Sequence, residues 1–132
     1  MRNGAAVRSY RDLEVWKKAV DLVVKCYRLT ACLPKSEACG LTSQIQRAAV
    51  SVPANIAEGH GRDHLGDYLH HLSMANGSLM ELETHLLIAD RLSYVASMDL
   101  EAVLAGTAEL GRMLSGLTRS LKKKSMNPTP DT

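Results

Sequence analysis

The sequence contains no phenylalanine, and one Trp and four Tyr bring its aromatic share to only 4% of 132 residues. A core without large rings has to be assembled from Leu, Val, Ile, Ala and Met, a palette suited to packed helices. Long apolar runs are missing too. Nothing approaches the roughly 20 residues that a membrane span needs, and the opening "MRNGAAVRSYRD" lacks the apolar centre of a secretory signal. Cysteines are few and odd in number: Cys26, Cys32 and Cys39. They form no C-x-x-C, the usual cysteine half of a zinc site. This argues against a disulfide framework or a structural zinc and fits free thiols in a reducing, cytoplasmic compartment.

Catalytic signatures are equally sparse. No Glu-x-x-His occurs, so the pattern of di-metal helical bundles is absent; Glu81 with His85 is the nearest approach and has no counterpart. His64, Asp67 and His71 share one face of a helix, but surface polar residues at a helix start give the same pattern. A Walker-type phosphate loop needs Gly-Lys, and the chain has none. "EGHGRDHLG" follows a helical pattern rather than a strand, which removes the dinucleotide-binding reading. No nucleophile, base and orienting group fall into a recognisable set, and His60, His70 and His71 lack evident partners. The expectation is a protein that is not an enzyme and holds no cofactor or metal.

What is present is helical periodicity. In "DLEVWKKAVDLVVKCYRLT", Asp12 is placed to cap, and Leu13, Trp16, Val20, Val23 and Tyr27 recur at spacings of three and four. Glu14–Lys18 and Asp21–Lys25 mark the solvated face. The second segment, from Leu41, carries two stripes: Leu41, Ile45, Ala49, Val52 and Ile56, and then Val50, Ala54 and Ala57. Two stripes predict burial by more than one neighbour and hence a homo-oligomer. Pro53 predicts a kink or a restart, and Gly59 a left-handed helix end. Ser51, Asn55 and Glu58 fit no apolar face and read as a polar network under the turn.

The third segment, Asp63 to Leu92, has Asp63 as its cap and an apolar face from Leu65 through Leu72, Leu79 and Leu86 to Ala89. It should be roughly 45 Å long. Asn76-Gly77 lies within unbroken periodicity, so Gly77 reads as a mid-helix glycine that permits close packing. The fourth begins near Asp99 and repeats Leu100, Val103, Thr107, Leu110, Leu114, Leu117 and Leu121, ending in Lys122, Lys123 and Lys124. The segments predict an all-α, antiparallel up-down four-helix bundle over residues 10–124. A flexible stretch (1–9) precedes it and a disordered tail (125–132) follows.

Charge is divided along the chain. Residues 1–62 carry ten Lys/Arg against five Asp/Glu, net +5, and residues 63–121 carry three against eight, net −5. The candidate phosphate contacts are Lys17, Lys18, Lys25, Arg28, Arg47, Arg62 and Lys122–Lys124.

"DLEVWKKAVDLV", "LTSQIQRAAVSVPANIAEGHGR" and "GSLMELETHLLIA" together resemble the bacterial four-helix-bundle proteins first noticed in intervening sequences of large-subunit ribosomal RNA genes. These are similar to the accessory variability determinant proteins of diversity-generating retroelements. The resemblance runs from about Tyr10 to Leu121. Its most specific block includes Arg47, Pro53, Asn55, Glu58, Gly59, Gly61 and Arg62, with His60 where an aromatic is common. It implies a ring-like homopentamer without enzymatic activity. It also implies, for the retroelement members, work with a reverse transcriptase and binding of nucleic acid, RNA or DNA, through basic surfaces. A protein-interaction scaffold without nucleic-acid affinity is the alternative reading.

Overall fold

The computed structural model describes residues 7–126. After a short 3-10 turn at Tyr10–Asp12 come α1 (Glu14–Thr30), a second 3-10 turn at Lys35–Glu37, α2 (Leu41–His60), α3 (Leu65–Arg91) and α4 (Ser97–Met126). The described residues hold four α-helices and no strand. Each helix packs on its sequence neighbours, and α4 returns to α1, which closes the bundle. Cross-contacts descend on one helix as they climb on the next: Ser51 meets Ser78 while Asn55 meets His71. Lys18 likewise meets Glu109 while Gly106 faces Leu22. The neighbours are therefore antiparallel, as expected of helices joined by short links.

The core is aliphatic throughout. Ile45, Ala49, Val52 and Ile56 of α2 are fully buried, as are Ala75, Leu79, Leu82, Leu86 and Ala89 of α3. Leu100, Val103, Thr107, Leu110 and Leu114 of α4 face them, so the periodicity of these three helices locates the core. In α1 the stripe is displaced by about one residue. Val15, Ala19, Leu22, Cys26 and Leu29 are buried, while Tyr27 is 47% exposed and Trp16 packs edge-on against Tyr10 at the rim. Two apolar stripes lie side by side on this helix, and packing leaves the two large rings, Trp16 and Tyr27, out of the buried one.

The helix ends depart from expectation. Asp12 caps the preceding 3-10 turn, its carboxylate accepting from the Arg8 and Ser9 amides, and α1 starts from Leu13 without a side-chain cap. Asp63 likewise yields to His64, also without a side-chain cap, as the residue before α3. The first amide of α2 is satisfied from outside the helix: Glu37 Oε1 accepts from Leu41 N at 3.0 Å. A Cβ on Gly40 would stand 2.7 Å from that oxygen, so glycine is what lets the carboxylate approach. α3 ends with Ser93 at φ 60°, where Tyr94 N returns to Ala89 O in the pattern of a Schellman turn.

Pro53 causes no restart: α2 is one uninterrupted helix with the proline buried inside it. The helix ends at His60 rather than by Gly59, and Gly61, the residue beyond, has an ordinary right-handed φ of −80°. α4 runs to Met126, two residues past the anticipated boundary, and residues 127–132 of the expected tail lie outside the described part, as do residues 1–6. No described helix is long and apolar enough to cross a membrane.

Candidate functional site: a polar seam and a basic groove

The residues of "SVPANIAEGHGR" that apolar packing left unexplained converge between α2 and α3. One of the hydroxyls of Ser51 and Ser78 donates to the other across 2.8 Å. Asn55 Nδ2 donates to the Ser51 carbonyl (2.9 Å) and to Ser51 Oγ (3.0 Å), one turn back along α2. This turns Asn55 Oδ1 toward His71 Nδ1 at 3.1 Å, so Nδ1 carries the proton. His71 Nε2 then faces Glu58 Oε2 at 3.7 Å, and the same oxygen accepts from Arg62 at 2.8 Å. The chain of contacts runs from a part-buried hydroxyl pair out to an exposed ion pair.

Gly59 brings the two helices together here. A Cβ at that position would lie 2.6 Å from His71 Cβ and 3.1 Å from Tyr68 Cδ1, so only glycine permits this approach. Its function is proximity, not a left-handed cap. His60 packs edge-on against Tyr68 at 5.7 Å between ring centres. His71 thus has the partners that sequence spacing did not reveal, because they sit sixteen and thirteen residues away on the neighbouring helix. Its ring contacts Asn55 and Glu58 of α2, and no group of three or more His, Cys, Asp or Glu side chains that could hold a metal ion gathers among the described residues.

The basic candidates do not form one surface. Lys17 pairs with Glu14 of its own helix at 3.2 Å, and Lys18 with Glu109 of α4 at 3.5 Å. Arg62 belongs to the seam. Lys25 and Arg28 flank an apolar hollow between α1 and α4, and Arg47 stands on α2 near Gln44 and Ser78. Gly77 is exposed, with open space around it within the chain, so it does not serve close packing inside the bundle.

Lys122 is the candidate that gains neighbours. It lies at one end of a groove between α3 and α4, with Arg119 beside it and Arg112 farther along. Arg112 and Arg119 escaped the sequence reading because net charge was summed over residues 63–121, where the acids of α3 and early α4 outweigh them. From Gly111 to Met126, however, there are five cations and no acid. All five are exposed, and none pairs with a carboxylate among the described residues.

A family profile described as 23S rRNA-intervening sequence protein matches residues 11–116. Among solved structures, the chain is similar to a protein of unknown function from the S23 ribosomal protein family of Bacteroides thetaiotaomicron VPI-5482. The two are 23% identical with a TM-score of 0.74, over 79% of this chain and 97% of that chain. At that identity the likeness establishes a shared fold. Among curated proteins none matches. The family match takes in all of α1, α2 and α3, the polar seam, and α4 as far as Gly116. The chain belongs to the 23S rRNA-intervening sequence protein family.

Proposed function

We propose that this protein is a non-enzymatic, cytoplasmic accessory to nucleic acid or to a ribonucleoprotein, acting through a basic surface of a homo-oligomer. The observation that carries the reading is the second half of α4, with five exposed cations and no acid. Such a stripe attracts phosphates regardless of base sequence, through counterion release. A non-catalytic role is supported by the seam, where Ser51, Asn55 and His71 satisfy one another and so act as a structural clasp. The resemblance that the sequence blocks bear to the accessory variability determinant proteins makes five the expected number of copies, and RNA, DNA and a reverse transcriptase or another protein the expected partners. Five copies multiply weak phosphate contacts through avidity.

A scaffold without nucleic-acid affinity is the second reading. It is favoured by Val50, 42% exposed, and by Ala54 on the outer face of α2, which are apolar surface that a partner subunit or protein would cover. Titration of labelled RNA and DNA, single-stranded and duplex, at 50 mM salt separates the two. Binding of any of them is the expected result; absence of all binding leaves the scaffold.

A further inference from the structure

α3 and α4 share a smaller interface than α2 and α3, and the space between them is correspondingly open. Two adjoining hollows of about 560 and 600 Å³ occupy it, and Asn76, Ser115 and Arg119 line both. They are therefore one continuous groove. Its α4 wall presents Arg112, Ser115, Arg119 and Lys122, at spacings of three and four that put them on one face. Its α3 wall presents His70, Ser73 and Asn76. Positive charge lies along the α4 side; the α3 side mixes these hydrogen-bonding groups with apolar Leu69, Leu72 and Met80 and has Glu83 at its far end.

We propose that this groove binds a single strand of RNA, its phosphates along α4 and its riboses and bases toward α3. The inference rests on the nucleic-acid reading above and deepens it. From Arg112 to Lys122 is roughly 15 Å at 1.5 Å per residue. The three cations along it, Arg112, Arg119 and Lys122, can each meet one phosphate of a strand laid on that wall. A duplex is too broad to enter a cleft between two packed helices and meets only its rims, leaving Ser73, Asn76 and Ser115 unused. A single strand reaches them, and a 2′-hydroxyl, both donor and acceptor, is the group such side chains recognise and DNA lacks. His70, exposed on the α3 wall, offers one ring on which an unstacked base can lie. The groove also has an end. Beyond Arg112 stands Glu83, its carboxylate held by the Thr107 hydroxyl, and this negative charge turns the strand away.

The test is fluorescence anisotropy of the full chain with a labelled 12-nucleotide single-stranded RNA, the matching DNA strand and the RNA duplex, at 50 and 200 mM salt. Three neutralised phosphates per protomer give a log–log salt slope near −2, so the fourfold rise in salt weakens RNA binding about 18-fold. Replacing Arg112, Arg119 and Lys122 together by Gln should abolish that dependence. Replacing Lys17, Lys25 and Arg28 by Gln should leave it unchanged, and Arg112→Lys with Arg119→Lys, keeping the charge, should retain binding. Asn76→Ala should narrow the preference for RNA over DNA. Nucleic-acid binding lost in the α1 variant but kept in the groove variant, or tighter binding of duplex than of single strand, overturns the groove and leaves the broader reading intact. No binding of any nucleic acid at 50 mM overturns both.

Discussion

At the scale of single residues, the side chain that Gly59 lacks sets the α2–α3 distance. Gly59→Ala should destabilise the protein by about 1–3 kcal/mol, the usual cost of forcing an extra carbon into a packed site. Gly77→Ala, at an exposed helical position with open space around it, should instead stabilise by up to about 1 kcal/mol through helix propensity. Urea midpoints measure both, and a loss of stability in Gly77→Ala would mean that a second molecule covers that position. Cys26, fully buried, has its thiol pushed up by burial from 9.0 to about 12. Above pH 9 the unfolded thiol ionises while the folded one keeps its proton, so stability falls as pH rises from 9 toward about 12. The loss approaches about 4 kcal/mol at 1.36 kcal/mol per unit. Tyr68, raised by burial, and Tyr94, raised chiefly by its hydrogen bond to Glu37, pull in the same direction at higher pH. Urea unfolding at pH 8, 9 and 10 should show the fall beginning near 9, and Cys26→Ala should flatten it. An unchanged slope in that variant would show that the thiol is not responsible.

At the scale of elements, one cap also serves as a tie between neighbours. Glu37 holds the Leu41 amide with one oxygen and accepts from the Tyr94 hydroxyl at 3.0 Å with the other. One carboxylate thus ties the start of α2 to the turn after α3. Glu37→Ala should cost about 0.5–2 kcal/mol, the range for losing a helix cap. Tyr94→Phe should cost less, because α2 keeps its cap. In a double-mutant cycle of the two positions the effects should fall short of additive, since both remove one shared contact; strict additivity would separate the cap from the tyrosine. Gln46 Nε2 donating to Thr30 Oγ1 at 3.1 Å does the same between α1 and α2.

At the scale of the whole molecule, surface that one bundle leaves uncovered predicts assembly. Val24, Tyr27 and Val50 are each more than 40% exposed, and Arg47 and Ser43 lie beside Tyr27 and Val50 in a shallow hollow of about 460 Å³. Light scattering at micromolar concentration should give a multiple of 14.4 kDa, with 72 kDa for five copies. Val50→Asp, which buries a charge if that face is an interface, should shift the mass down without loss of helix content. A wild-type mass of 14.4 kDa would refute the assembly, and an oligomer unaffected by Val50→Asp would move the interface elsewhere.

The sequence by itself determined that the chain is helical, that there are four helices, and which residues of α2, α3 and α4 point inward. Those facts follow from repeat spacing within one helix, which a linear string records directly. It also marked Ser51, Asn55 and Glu58 as polar residues in need of partners. Only the tertiary structure decided who the partners are, because a hydrogen bond between Asn55 and His71 depends on the register of two helices. The same holds for Gly59, whose demand comes from a neighbouring backbone and not from its own φ. It holds for α1, where two adjacent stripes were equally periodic and packing selected one. Charge shows the limit most plainly. Summed along the chain, Arg112 and Arg119 vanish among acids; folded, they stand with Lys122 on one wall of a groove whose acids point elsewhere, save Glu83 at its end.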